Sequence, residues 1–144
     1  MSTNLPITKA TFTKRLSDLC LKSGLPEFPK NETDQQILLK SAMLMVGQSG
    51  SFTEKEINAI LQNWINNVCP IKTLDYASLR RYLVDAGYLT RSKDGSSYEV
   101  VQPGPGAKLF EADIDQLDPV EVIAAAREEI ARRKREYLER SKGA

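Results

Sequence analysis

Histidine is absent from this chain of 144 residues. That absence removes Ser-His-Asp and Cys-His nucleophile activation and most catalytic zinc sites. It also removes the one side chain that titrates unperturbed near neutral pH. Cysteine occurs twice, at Cys20 and Cys69. Neither sits in a paired metal or redox motif, so both read as buried free thiols and no disulfide is expected. Long apolar runs are missing, and a membrane span needs about 20 apolar residues. The glycine patterns of phosphate-binding loops and the spaced acids of calcium loops are missing too. The opening stretch MSTNLPITKATFTKR lacks the charged-then-apolar plan of a secretory leader, so a cytoplasmic location is expected. No catalytic residue, metal or cofactor is assigned, and the chain reads as a non-enzyme.

An excess of charge of one sign is lacking as well. The net charge is +1, and residues 31–101 carry seven cations against eight acids. A non-specific DNA binder usually has a more basic core. The apolar fraction of 41% and charged fraction of 27% are ordinary for a soluble globular protein, and the length suits one core.

What is present is a central block at 31–101 that reads as three short helices and a hairpin. Residues 1–10 precede it as a mobile N-terminus, and 11–30 hold a helix and a linker. In that first helix Phe12, Leu16, Leu19 and Cys20 share one face, with Gly24 as the stop. The next helix is expected to start at Thr33, where Thr33-Asp34-Gln35-Gln36 has the form of a capping box. Ser51-Phe52 suits a very short strand. Thr53-Glu54-Lys55-Glu56 is a clearer capping box, followed by a stripe at Ile57, Ile60, Leu61, Trp64 and Ile65. The stretch NNVCPIKTL then makes a long turn for a helix-turn-helix.

The last part of the block is DYASLRRYLVDAGYLTRSKDGSSYEVV, residues 75–101. Asp75 is placed to cap a helix and Gly87 to stop it. Tyr76, Leu79, Leu83 and Ala86 fall on one side of that helix, and Ala77, Arg81, Val84 and Asp85 on the other. Two strands follow around an Asp94-Gly95 turn, with Leu89, Tyr98 and Val100 facing inward and Arg91 and Lys93 near the tip. Residues 102–117 read as a Gly/Pro linker. Residues 118–144 read as a long amphipathic helix opening on Asp118-Pro119. The fold class is α+β, mostly α: a winged helix-turn-helix with an added N-terminal helix and a long C-terminal helix.

Residues 28 to about 100 resemble a family of short prokaryotic domains of unknown function. The resemblance rests on Phe28-Pro29-Lys30, on Phe52-Thr53-Glu54-Lys55-Glu56-Ile57-Asn58, and on Asp75-Tyr76, Leu79-Arg80-Arg81, Leu83-Val84-Asp85, Gly87, Leu89 and Arg91. Gly95 and Tyr98 complete the pattern. The chain departs from it in a longer loop before Asp75, which lacks the histidine often found there, and in the C-terminal helix, which lies outside it. The resemblance implies a winged-helix-like fold and bacterial origin, and no established activity.

Several residues carry both a functional and a plain reading. Arg80, Arg81, Arg91 and Lys93 are the candidate contacts to double-stranded DNA, with Arg81 reaching a guanine edge and the others on the backbone. The plain reading pairs Arg80 with Asp75 or Asp85 and leaves the wing charges solvated, with Asp85 repelling phosphate. Glu54, Glu56 and Asn58 read as helix capping rather than a metal cluster. Arg132-Arg133-Lys134-Arg135 is bracketed by glutamates at helical spacing and reads as a solvated face. Ile123, Ile130, Tyr137 and Leu138 form the stripe expected to join two copies as a homodimer. The expected function is a DNA-binding transcriptional regulator. The alternative is a protein–protein interaction module that keeps the fold without DNA contact. A third reading has Trp64, Tyr76 and Tyr82 lining an effector pocket.

Overall fold

The computed structural model describes residues 5–22 and 25–142. Residues 1–4 and the expected stop at Gly24 lie outside the described residues. Helix α1 spans Lys9–Ser17 and continues as a π-helical turn over Asp18–Lys22. It starts two residues earlier than its apolar spacing indicates, because the Thr8 hydroxyl accepts from the Thr11 N–H at 3.1 Å. Among the described residues before it, Ile7 is held in place. Ile7 exchanges backbone hydrogen bonds with Leu109 and Glu111, at 2.7 and 3.0 Å.

Helix α2 spans Glu32–Val46 and is capped by Asn31, whose side chain accepts from the Asp34 N–H at 3.0 Å. The capping box proposed at Thr33 does not form, because both of its ends are used elsewhere. Gln36 accepts from the Tyr88 hydroxyl at 2.6 Å, and burial pushes that phenol up to about 12, so it stays a donor. Thr33 itself lies inside the helix. The Asp34 carboxylate takes both arms of the Arg15 fork, at 2.7 and 2.8 Å, which joins α1 to α2.

Strand β1 is Ser51–Thr53 and helix α3 is Glu54–Asn67. The capping box at Thr53 forms in both directions, 2.9 Å from the Thr53 N–H to Glu56 and 3.1 Å from the Glu56 N–H to Thr53. Ile57, Leu61 and Trp64 are fully buried. The Trp64 indole donates to Ser41 at 2.8 Å, and Ser41 donates to the Leu38 carbonyl at 2.7 Å, so the one polar pair inside this seam is satisfied. The long turn after α3 earns its length by packing: Val68, Cys69, Ile71 and Leu74 are buried. The Lys72 N–H and the Thr73 hydroxyl donate to the carbonyls of Leu25 and Pro26. Cys20 and Cys69 are free, buried and neighbours. A hydrogen bond from the Cys20 thiol to Cys69, together with burial, pushes the Cys20 thiol up.

Helix α4 spans Tyr76–Asp85, followed by β2 at Leu89–Arg91 and β3 at Ser97–Val100. Gly87 takes φ +87°, the left-handed stop its position calls for. The sheet is antiparallel in the order β1-β3-β2, with Leu89 opposite Val100 and Arg91 opposite Tyr98. The element order helix–strand–helix–helix–strand–strand is compatible with a winged helix-turn-helix.

Residues 102–117 are not a free linker. They form a strap of two 3₁₀ turns that closes over α1 and α2. Phe110 and Ile114 are buried. The Phe110 ring meets Phe12 edge-on at 5.7 Å, and Lys40 holds Asp115 at 2.5 Å. Helix α5, Pro119–Lys142, opens on Asp118, whose carboxylate accepts from the Val120 N–H at 2.9 Å. Its first turns bury Pro119 and Ile123. One continuous core therefore runs from Phe12 to Ile123 and takes in helices that the sequence treats as appendages. No described helix is long and apolar enough to cross a membrane.

If the strap is part of the core, Phe110→Ala lowers unfolding stability by about 3–5 kcal/mol. Urea denaturation checks this, and a change within about 0.5 kcal/mol, as at an ordinary surface site, would mean a loose linker.

Candidate nucleic-acid interface

Leu79 and Leu83 seat α4 on the core and turn Ala77, Arg81 and Asp85 outward. Asp75 caps the helix by accepting from the Ser78 N–H at 2.7 Å, and that bond holds its carboxyl below the usual carboxylate range. Tyr76, placed by spacing on the buried side, is 37% exposed, because the first turn of α4 overhangs the core. Tyr82 is also exposed and stacks on Phe28, 4.6 Å between centroids.

The adjacent arginines part company. The side chain of Arg81 is exposed, whereas that of Arg80 is 18% exposed. Arg80 lies 3.3 Å from Glu54, donates to Asn58 and rests over the Tyr98 ring at 5.3 Å. Its partners are neither Asp75 nor Asp85. The Arg80 guanidinium, expected as a DNA contact, is tied to Glu54 and Asn58 while remaining in the lining of the cleft between α4 and the wing.

On the wing, Tyr98 is buried and Arg91 lies opposite it on the same face. The Arg91 guanidinium folds over the turn at Gly95, which has φ +75°, and a Cβ there would collide with it. At the tip Asp94 accepts from the hydroxyls of Ser92 and Ser96, each at 2.7 Å, and from the Ser96 N–H at 3.0 Å. Lys93 is exposed beside it. Among the described residues Arg81, Arg91 and Lys93 form no ion pair. A cleft of about 440 Å³ between α4 and the wing is lined by Asp75, Ser78, Arg80 and Arg81 from α4 and its cap and by Arg91 and Tyr98 from the wing. Asp75 stands in the same lining as the arginines, and Glu54 lies 3.3 Å from Arg80, so the face is mixed in sign.

Sequence reasoning missed Glu54, Asn58 and Tyr98 as members of this cluster. Glu54 and Asn58 are spaced i, i+4 on α3, a signal that they share a face, but spacing does not reveal the arginine they meet. No described group of three or more Cys, Asp or Glu side chains is arranged to hold a metal ion. Trp64 is sealed in the core while Tyr76 and Tyr82 are at the surface, so the three do not line a common pocket.

On α5, Ile123 is fully buried within its own chain and is corrected as a dimer contact. Ile130, Tyr137 and Leu138 are exposed, Tyr137 at 70%. The basic run is a solvated, self-paired face: Arg132 meets Glu129 and Glu136, Arg133 meets Glu129, and Arg135 meets Glu128.

The bonds from the Ser92 hydroxyl and Ser96 hold Asp94 down to about 2. A folded value below the ordinary one means that this carboxylate supports the tip above the usual aspartate range. The support is lost as pH falls toward about 2. The Ser96 amide resonance should therefore titrate with a midpoint near that value in the native protein and lose this step in Asp94→Asn. A midpoint at the ordinary value of 3.8 would contradict the bonded tip.

Residues 24–100 match the model of a family described as an uncharacterized protein conserved in bacteria (DUF2087). No curated protein and no solved structure matches the chain. The match spans more than half of the sequence and takes in α2 through the end of the wing, so the chain belongs to that bacterial family.

Proposed function

We propose that the central block is a winged helix-turn-helix that binds double-stranded DNA as a transcriptional regulator in the cytoplasm. On this reading it is a binding module rather than an enzyme and uses no cofactor. The observation that carries it is the cleft between α4 and the wing, lined by Arg81 and Arg91, neither of which forms an ion pair among the described residues. Arg81 projects from the exposed face of α4, where a planar fork can meet a guanine edge. Arg91 and Lys93 come from the wing and reach phosphates. Arg80 lines the same cleft, tied back to Glu54 and Asn58.

A second reading, an interaction module without DNA contact, is favoured by the near-neutral charge of residues 31–101 and by the exposed rings of Tyr76 and Tyr82. Titration with mixed-sequence duplex DNA at several salt concentrations separates the two. The DNA reading expects binding whose log affinity falls linearly with log salt, with a slope smaller by about 1 in Arg91→Ala. Affinity undetectable at low salt removes it in favour of the interaction module.

The distal half of α5 is the proposed contact between two copies, through Ile130, Tyr137 and Leu138. Its acids already pair with its own arginines, which leaves the apolar side chains as the unsatisfied part of that surface. Sedimentation should give a dimer that Ile130→Glu with Leu138→Glu converts to monomer, and a native monomer would refute the contact.

A further inference from the structure

Arg80 is the one cation of the α4–wing region drawn into the protein, and two separate elements, α3 and β3, converge on it. Glu54 and Asn58 come from the first turns of α3, 3.3 Å away in the case of Glu54. Tyr98 comes from β3, its ring centroid 5.3 Å from the guanidinium carbon. Tyr98 is itself the central rung of the sheet, opposite Phe52 on β1 and Arg91 on β2. A group fixed to Tyr98 is therefore fixed to the whole wing.

We infer that Arg80 is a positioning residue that sets the angle between α4 and the wing, and so places Arg81 against Arg91 across the cleft. Its effect on DNA affinity rests on the proposed function; its effect on the wing does not. The chemistry calls for arginine. A guanidinium can set its carbon over the Tyr98 ring while one nitrogen, Nη1, donates to the Asn58 amide oxygen and pairs with the Glu54 carboxylate. A lysine ammonium is a compact point charge with no planar group to lay over the ring. Phosphate would compete poorly for Arg80, because taking it would strip Glu54 and Asn58 of their partner and lift the cation off the ring. The neighbouring Arg81 has no such ties. The Arg80-Arg81 pair thus divides into an inner brace and an outer contact.

The test uses the full chain in two variants, Arg80→Met, which keeps an unbranched apolar stem, and Arg80→Lys, which keeps the charge. Amide hydrogen exchange is followed at the wing, where the Ser92 N–H donates to the Ser97 carbonyl, and in α2. The brace expects wing exchange about tenfold faster in Arg80→Met. A smaller acceleration is expected in Arg80→Lys, with α2 unchanged in both. Wing exchange equal to that of the native protein overturns the inference. So does equal acceleration of α2 in both variants, which marks Arg80 as a general stability residue. Duplex DNA supplies a separate arm. If the native protein binds DNA, Arg80→Lys should weaken binding with an unchanged salt slope. A slope smaller by about 1 in Arg80→Met, the mark of a lost phosphate contact, overturns the inference. If the native protein does not bind DNA, the DNA reading fails while the exchange result still decides the role of Arg80.

Discussion

The seam between α3 and α2 is the constraint on which the rest of this molecule hangs. Ile57, Leu61 and Trp64 are fully buried there, against Ile37, Leu38 and Ala42. Full burial of each large side chain contributes about 1.5–3 kcal/mol. The exposed ion pairs along α5 contribute about 0–1 kcal/mol each. The seam also holds its own polar pair, because the Trp64 indole and the Ser41 hydroxyl satisfy one another inside it. Packing on this seam decides where α4 and the sheet sit. The electrostatics of the cleft are arranged on a frame they do not determine.

Local signals in the sequence were readable where the chain satisfies itself within one turn. The capping box at Thr53, the cap at Asp75, the stop at Gly87 and the turn at Asp94-Gly95 each need only neighbours. The start of α2 was misplaced because Gln36 answers to Tyr88, 52 positions away, rather than to its own helix end. The strap was misread for the same reason. Its glycines and prolines resemble a linker, and what orders it is Phe110 against Phe12 and Asp115 against Lys40. Arg80 shows the limit most directly. Spacing offered Asp75 and Asp85 as partners, whereas the folded chain supplies Glu54, Asn58 and the face of Tyr98.

Helix α5 joins two kinds of surface in one element. Its first turns are core, with Ile123 buried beside α1 and α2. Its later turns carry apolar side chains into solvent on a rod whose charges are mostly paired along its own length. Such pairing keeps the rod helical without neighbours. It also lowers the net field around the apolar side chains, so a partner would meet them with little electrostatic cost. The anchored half fixes where the distal half projects.

The mixed charge of the α4–wing face sets what kind of DNA binding this frame can support. With Asp75 in the cleft lining and seven cations against eight acids over residues 31–101, little attraction is left over to hold the protein on arbitrary sequence. Recognition would have to come from a few well-aimed contacts, and aim depends on rigidity. Arg81 sits on a helix of ten residues, and Arg91 on a hairpin strand of three. Left to themselves, a short helix and a two-stranded hairpin are each marginal in water. Here both lean on Tyr98, one through Arg80 and the other through the β-ladder. A cation withdrawn from the surface can therefore raise specificity: the charge it withholds from phosphate is spent on holding its neighbour in place.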